Sequence, residues 1–209
     1  MRPNPLYEST DVEVLRALIS EHPWAVLVSR AHGAPVASHV PILLEEDSSQ
    51  PVIVTHVGKP DDELHRFGER EGEALVVVQG HSGYVSPSWY PPDATRVPTW
   101  NYTVAHCYGV PEILDERRNL TELLRLVERF ESRVERPAQI DRDRAAEIAR
   151  GTVGIRMPVA RFLCKRKLSQ NKDPRTREGV IAGMRAPGAY RNPELALDME
   201  RVAIEPPPN

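Results

Sequence analysis

The chain has 209 residues and a formal net charge of −3 at pH 7, with an isoelectric point near 6.2. This length accommodates one sizeable domain, or one domain with an appended piece, and the acidic balance does not favour a dedicated nucleic-acid binder. No apolar run reaches the roughly 20 residues that cross a bilayer, and residues 1–10 contain no apolar signal region. Cys107 and Cys164 are too few for a disulfide framework. We therefore expect a cytoplasmic protein without a membrane partner.

The first part of the chain predicts a short helix followed by strands at hairpin spacing. Thr10 to Glu13 has the capping-box pattern of a helix start, and His22-Pro23 stops that helix. A brief helix opens at Lys59-Pro60, with proline at the tolerated first-turn position. Four strands are predicted from the short β-branched runs, at 24–30, 36–44, 52–56 and 74–79.

A fifth, long strand is predicted from Pro98 onward, because bulky and small side chains alternate there with a period of two. One side carries Trp100, Tyr102, Val104, His106 and Tyr108. The other side carries Thr99, Asn101, Thr103, Ala105 and Cys107. We expect one of these faces to meet the core and the other to meet a ligand or a subunit.

The rest of the chain predicts helices and two more strands. Asn119 and Glu122 form a capping box for a helix with an apolar stripe, and Gly151 ends a second helix at 142–150 as its C-cap. The stripe comprises Leu120, Leu123, Leu124, Val127 and Phe130. Strands at 153–158 and 162–168, a short helix at 176–184 and a loose Pro-rich end complete the pattern. This order predicts an α+β domain, an antiparallel barrel with helices laid on it.

The segment 84–109 has an unusual composition for either a core strand or a loop. It holds two of the three tryptophans, Trp89 and Trp100, and four of the six tyrosines, among prolines and hydroxyl residues. Rings on a proline-stiffened backbone favour a preformed surface for a planar ligand. The alternative is a loop that packs its own aromatic residues under a barrel rim.

Two cationic segments could hold a phosphate or another anion. His56 ends the third predicted strand and is followed by Gly58-Lys59 at a helix start, where backbone donors and a cation are combined. An ordinary turn with a solvated lysine is the alternative. The second segment is basic from Lys165 to Lys172, and its middle, residues 167–171, mixes a cation with side chains typical of a fixed contact. The alternative there is a solvated charged face.

The spacing of the histidines does not favour a zinc site, and the nucleotide-binding glycine motifs and the GxSxG motif are absent from the sequence. Rossmann-type dinucleotide binding is therefore not supported. Heme is not excluded by spacing, because a single axial histidine is sufficient to bind it.

Three motifs resemble the PaiB family, described as FMN-binding negative transcriptional regulators with a split-barrel fold. They are YVSPSWY at 84–90, VPTWNYTVAHCYG at 97–109 and KLSQNK at 167–172, and the shorter segments 37–41, 55–56 and 179–183 match in the same order. The resemblance implies a six-stranded antiparallel split β-barrel related to pyridoxamine-phosphate oxidases, with flanking helices, over residues 1–185. A C-terminal tail at 186–209 would then pack on this domain or be loose.

The resemblance also implies a homodimer with FMN at the subunit interface. The phosphate would lie near Thr55, His56 and Lys59, and the flavin ring would lie against Ser38 and His39. The full set of cofactor-binding residues is Ser38, His39, Thr55, His56, Lys59, Trp100, Asn101, Lys167 and Gln170. Lys59 stands where the family commonly has arginine, which removes a bidentate phosphate contact. No residue is assigned a catalytic role.

Three functions are compatible with these features. The first is a flavin-dependent redox or transcription-regulatory protein, because a bound flavin brings its own chemistry. The second is a heme enzyme on the same scaffold, similar to piperazate synthase or heme oxygenase, with His56 or His65 as the axial ligand. The third is a repressor that binds DNA directly, but the sequence contains no recognition helix and has no overall basicity. Regulation would then act through a small molecule or a partner protein.

Overall fold

The computed structural model describes Met1 and residues 3–31, 33–45, 48, 50–69 and 72–202. The helices in these residues are α1 (Val12–Glu21), α2 (Lys59–His65), α3 (Glu116–Glu131), α4 (Arg142–Ala149), α5 (Pro174–Arg185) and α6 (Pro193–Arg201). The strands are β1 (Glu8–Ser9), β2 (Trp24–Ala31), β3 (Ala34–Pro41), β4 (Leu43–Leu44), β5 (Val52–Gly58), β6 (Ala74–Val85), β7 (Thr99–Gly109), β8 (Glu112–Ile113), β9 (Thr152–Pro158) and β10 (Arg161–Lys167).

These strands form two sheets, one in the order β1-β10-β7-β6-β2-β3 and one in the order β4-β5-β9-β8. The pairs β2–β3, β2–β6 and β5–β9 are antiparallel, which confirms the predicted antiparallel α+β fold. The described residues group into two compact units. Unit 1 draws on Met1–Asp11, Gln79–Val104 and Leu163–Asn209, and unit 2 on Val12–Val78 and Ala105–Phe162. The domain boundary predicted at residue 185 stays a prediction.

The core of unit 2 combines the first helix with the β-branched strand β5. Leu15, Leu18 and Ile19 on α1 are buried, as expected from their helical spacing. Residues 52–55 and Val57 of β5 are buried too, so this strand is covered on both faces. The antiparallel pairing of β5 with β9 places His56 opposite Gly154.

The start of α3 differs from the prediction that Asn119 caps it. The cap is Asp115, a residue type that commonly caps helices, and its carboxylate accepts a hydrogen bond from the Arg118 amide at 2.8 Å. Asn119 lies one turn later and is buried, where its Nδ2 donates to Thr152 Oγ1 at 3.0 Å. Two acceptors four residues apart compete for one helix start, and the earlier one caps it. The buried side of α3 consequently consists of Asn119, Leu123 and Leu126. Phe130, which belongs to the predicted stripe, is 39% exposed.

The core of unit 1 depends on α6, a helix that the sequence analysis did not predict. Asn192 caps this helix, and its side-chain oxygen accepts a hydrogen bond from the Leu195 amide at 3.1 Å. Leu195, Ala196 and Met199 are fully buried in one cluster with residues of β6 and α5. Residues 203–209, which include the Pro-rich end predicted to be loose, lie outside the described residues.

Candidate functional site

The two faces of β7 have opposite environments. Asn101, Thr103, Ala105, Cys107 and Gly109, the small-residue side, are buried. The bulky side is partly or fully exposed along the whole strand. The core therefore lies on the small face, and the bulky face is the one that a ligand or a second subunit could cover.

In unit 1, three rings at the surface form what we call the aromatic cluster, Tyr84, Trp100 and Tyr190. Trp100 meets Tyr84 edge-on with ring centroids 6.4 Å apart, and Tyr190 is tilted against Tyr84 at 4.9 Å. Trp100 and Tyr190 are 55% and 56% exposed. Sequence reasoning missed Tyr190, because it lies in a turn far along the chain with no periodic pattern around it.

Lys167, from the basic segment, is tied to the strand that carries Trp100. Its Nζ donates to the Trp100 carbonyl oxygen at 3.0 Å and also contacts Thr99 Oγ1. Burial and the neighbouring charges of Lys165 and Lys172 lower the pKa of Lys167. The cation thus stabilises the backbone conformation at the start of β7.

Asn101 and Gln170, two other residues of the predicted set, are held by contacts within unit 1. Asn101 is fully buried and exchanges hydrogen bonds with Ser169 Oγ, at 2.9 and 3.1 Å. The Gln170 side-chain Oε1 accepts from the Leu168 amide at 2.7 Å, and its Nε2 donates to the Arg166 carbonyl oxygen at 2.6 Å. Ser169 between them has a left-handed backbone, with φ of 59°. These bonds satisfy the two side-chain amides and hold the turn at Ser169, so no ligand is needed to explain their positions.

Trp89 belongs to a packing contact in unit 1. A Cβ at Gly183 of α5 would overlap the Trp89 indole, and a Cβ at Gly179 would overlap the Trp89 carbonyl oxygen. The two glycines, one turn apart on α5, form a notch that receives this residue. The alternative of a self-packing aromatic loop therefore holds for Trp89, while the prediction of a ligand surface rests on Trp100.

In unit 2, His56 stands near the end of β5, which Gly58 closes as the N-cap of α2, and Lys59 begins that helix. His56 Nδ1 is buried and has no hydrogen-bond partner among the described residues. Burial lowers the pKa of His56, so the ring is neutral near pH 7. The Lys59 side chain is exposed at the first turn of α2. The neighbouring Thr55 hydroxyl instead donates to the Pro41 carbonyl oxygen at 2.7 Å.

His65, at the end of α2, is enclosed by a hydrogen-bonded chain within unit 2. Ser29 Oγ lies 2.7 Å from its Nδ1, and Ser38 Oγ lies 3.0 Å from its Nε2. The Ser38 hydroxyl also approaches Asp61 Oδ1 at 3.4 Å. The ring is 1% exposed and stacks on Phe67 at 4.6 Å. Burial lowers the pKa of His65, although the charges of Asp61 and Asp62 oppose this shift.

The predicted ring-binding residues Ser38 and His39 point to different environments. Ser38 is buried in the chain that holds His65. His39 is exposed on β3 and stacks with Trp24 at 6.4 Å between ring centroids. Trp24 is 61% exposed. It was missed in the sequence because it begins an otherwise aliphatic strand.

Two buried atoms beside α2 would find partners in FMN, one in its phosphate and the other in a hydroxyl of its polyol chain. His56 Nδ1 and Asp62 Oδ1 are both buried without a partner in the part of the chain that the structure describes. Helix α2 packs on β5, so these atoms belong to adjoining elements. Buried polar groups normally have partners, and a phosphorylated polyol such as FMN offers acceptors and donors together.

Neither a membrane span nor a metal cluster is present in the described residues. No helix among them is long and apolar enough to cross a membrane. They also contain no cluster of three or more histidine, cysteine, aspartate or glutamate side chains arranged to hold a metal ion.

Comparison with solved structures relates the fold to known proteins. The FAD- and heme-binding protein from Mycobacterium smegmatis superimposes with a TM-score of 0.58 at 19% identity, covering 85% of this chain and 80% of that one. The flavocytochrome Anf3 from Azotobacter vinelandii gives a TM-score of 0.57 at 16% identity, covering 77% of this chain and 69% of that one. At such identities the likeness concerns the fold alone, and it confirms the predicted split barrel with flanking helices.

Sequence comparison identifies the family. The protein "Protease synthase and sporulation protein PAI 2" of Bacillus subtilis is 27% identical over 198 residues, covering 92% of this chain and 94% of that protein. Residues 1–161 match the family model described as "Putative FMN-binding domain". The chain therefore belongs to the PaiB family of FMN-binding split-barrel proteins, and FMN is the cofactor that this membership assigns to it.

Proposed function

We propose that this chain is a homodimeric, cytoplasmic flavoprotein that binds FMN for redox chemistry. FMN, when bound, supplies hydride and single-electron transfer. The chain's own residues have to hold the phosphate, orient the ring and exclude water. We assign the phosphate to His56 and Lys59.

The unpartnered Nδ1 of His56 carries this proposal. A buried polar atom without a partner costs about 1–3 kcal/mol, and a phosphate oxygen near Nδ1–H would remove that cost. The bond would also raise the pKa of His56 from its lowered value, because an anion stabilises the imidazolium. Lys59 adds a positive charge at the same end of β5.

Flavin titrations test this assignment and use riboflavin as a ligand that lacks the phosphate. We expect FMN to bind more tightly than riboflavin, and Lys59→Ala to weaken FMN about tenfold because a charge-assisted contact is lost. The same variant leaves riboflavin binding unchanged. Equal affinities for FMN and riboflavin in the unmodified protein would remove the phosphate site from the proposal.

Trp100 remains in the proposed flavin-binding set as the side chain that contacts the flavin ring, and Lys167 remains as the cation that braces the start of β7 beside it. Titration of Trp100→Ala with riboflavin tests this role, because the loss of a ring contact weakens both flavins equally. Asn101 and Gln170 are left out, since internal bonds account for their amides. Light scattering with and without FMN tests the dimer.

Heme is the second candidate, and the same His56 nitrogen favours it. The two ring nitrogens of His65 are held by serine hydroxyls, so His56 is the better axial ligand of the two. An absorbance spectrum separates the candidates, because a flavin absorbs near roughly 450 nm and heme absorbs strongly near about 400 nm. Loss of the heme band in His56→Ala would favour heme over FMN.

A further inference from the structure

Two serines of unit 2 lie under the last residue of α2. In the β2–β3 hairpin, Leu27 is opposite Ser38 and Ser29 is opposite Val36. Opposed residues share a face of the sheet, and so do alternate residues of one strand, so Ser29 and Ser38 lie on the same face. Helix α2 packs on both strands, and its last residue, His65, bonds to both hydroxyls.

The hydrogen bonds around His65 run in one direction. An ionised carboxylate only accepts, so the Ser38 hydroxyl donates to Asp61 Oδ1 at 3.4 Å. The Ser38 oxygen then accepts from His65 Nε2 at 3.0 Å. A neutral imidazole donates from one nitrogen and accepts at the other, so Nδ1 accepts from the Ser29 hydroxyl at 2.7 Å. The proton of Ser29 therefore points at a basic nitrogen.

An activated nucleophile needs a hydroxyl, a base within hydrogen-bond distance and a third group that orients the base. Here Ser29 supplies the hydroxyl and His65 the base. Ser38, backed by Asp61, orients the base. Burial lowers the pKa of His65, which keeps the ring neutral and basic near pH 7. The charges of Asp61 and Asp62 oppose this shift, and they favour the imidazolium that forms when Ser29 gives up its proton.

Ser29 and His65 both line a cavity of about 290 Å³ in unit 2. Ser29 is partly exposed, whereas the His65 ring is buried, so the hydroxyl is the part that a ligand reaches. The volume is at the small end of the roughly 300–1,000 Å³ of small-molecule sites. The charged side chains among the described lining residues have opposite signs, Arg30 and Glu73, and the apolar lining includes Phe67 and Ala74. The cavity therefore suits a small neutral molecule.

We propose that Ser29 is a catalytic nucleophile for the hydrolysis of small neutral esters, with His65 as its general base. The Ser29 oxygen attacks the ester carbonyl carbon, and its proton passes to His65 Nδ1. The bond from that carbon to the alcohol oxygen then breaks, and the leaving oxygen takes the proton from His65. Water attacks the acyl-serine by the same route, which releases the carboxylic acid and restores the hydroxyl.

Hydrolysis of p-nitrophenyl acetate by the full chain without added flavin tests the proposal. We expect Ser29→Ala to lower the rate about a hundredfold, because the nucleophile and its positioned base act together. Ser29→Cys should still be acylated, because a thiol in the same place is again a nucleophile beside the base. His65 is left in place, since its bonds also stabilise the fold.

Ser132→Ala is the matched control. The Ser132 hydroxyl is exposed and donates to the Arg129 carbonyl oxygen at 3.0 Å, and it lies outside the lining of the cavity. The rate of hydrolysis should be unchanged in this variant. Equal rates for Ser29→Ala and the unmodified protein would overturn the proposal.

Phenylmethylsulfonyl fluoride, which sulfonylates activated serines with loss of fluoride, gives a second measurement on the unmodified protein. Peptide mass spectrometry should place the sulfonyl group on Ser29, and p-nitrophenyl acetate should slow the labelling. This measurement decides the question if Ser29→Ala fails to fold. A Ser29 that stays unlabelled would overturn the proposal.

This activity is separate from the proposed flavin binding. Neither Ser29 nor His65 is among the residues to which the proposed function assigns FMN, and ester hydrolysis needs no electron carrier. Hydrolysis by a protein that binds no flavin would support the serine site and overturn the proposed function. Flavin binding by a protein that neither hydrolyses the ester nor is labelled at Ser29 would do the reverse.

Discussion

Trp89 and Trp100 lie eleven positions apart in one aromatic segment, yet they have opposite environments. Trp89 packs on a two-glycine notch of α5, whereas Trp100 is 55% exposed and meets one ring edge-on. Both belong to motifs that resemble the family. The comparison teaches that an aromatic motif alone does not identify a ligand surface, because its packing partner can lie far along the chain.

His56 and His65 give the same contrast within unit 2. Both ring nitrogens of His65 are paired with serine hydroxyls, and Nδ1 of His56 has no partner in the described part of the chain. We expect a residue whose polar atoms are paired to contribute to stability, and a residue with an unpartnered atom to contribute to binding. This distinction predicts which substitutions lower stability and which weaken ligand binding, and it ranks the sizes of these effects.

Gly183→Ala is expected to have a large effect on stability. Alanine has the higher helix propensity by about 1 kcal/mol, so without the notch this change would stabilise α5. The new methyl group overlaps the Trp89 indole. We therefore expect a loss of about 2–3 kcal/mol instead. Chemical denaturation measures this difference, and Glu178→Ala on the exposed side of α5 is the control. An increase in stability would contradict the packed role of Trp89.

His65→Gln is expected to lower the free energy of unfolding by about 2 kcal/mol through unsatisfied buried groups. One or both of the serine hydroxyls at its ring nitrogens lose their partner. The change should also alter the pH dependence of stability. Burial lowers the pKa of folded His65 below its usual 6.5. The unfolded chain therefore binds more protons, and stability falls as the pH drops below about 6.5. His56 and His106 have pKa values lowered by the same cause.

Denaturation curves at pH 7.5 and 5.5 measure this effect. We expect the unmodified protein to lose stability at the lower pH, and the His65→Gln variant to lose less. The same pH dependence in both proteins would show that His65 titrates normally in the folded state.

The antiparallel α+β fold could be predicted from local patterns, because hairpin spacing and β-branched runs are properties of neighbouring residues. The role of Asn101 could not, since its partner Ser169 is 68 residues away. Helix α6 has a local start signal, the Asn192 cap followed by Pro193, which the prediction did not use. Its apolar face is short, and its stability comes from packing against residues of β6 and α5.

The candidate site was predictable to a smaller extent. The position of His56 at a strand end followed from the sequence, but its unpartnered nitrogen depends on tertiary burial. The same limit applies to Tyr190, whose ring contact with Tyr84 joins distant segments. Trp24 instead meets His39 across the predicted hairpin. No local period marks either of them.

His56→Gln is expected to change stability by less than about 1 kcal/mol, because the nitrogen contributes no bond to the folded state and the amide that replaces it is again a buried polar group without a partner. The nitrogen in question is Nδ1. Flavin binding should distinguish this variant from His65→Gln, with FMN affinity reduced in the first and riboflavin affinity retained. A stability loss in His56→Gln equal to that in His65→Gln would contradict the contrast between the two histidines.

Trp100→Ala is expected to have the smallest effect on stability, because surface substitutions seldom change it by more than about 0.5 kcal/mol. The Trp100 side chain is 55% exposed. Trp89→Ala is the matched comparison and should cost about 3 kcal/mol through the cavity it leaves, which lies against α5. If both tryptophans prove equally important for stability, the aromatic cluster is a packing feature, and the assignment of its exposed face to flavin binding loses its basis. If Trp100→Ala leaves stability intact but lowers the affinities for FMN and riboflavin together, Trp100 contributes to ligand binding and Trp89 contributes to the stability of the fold.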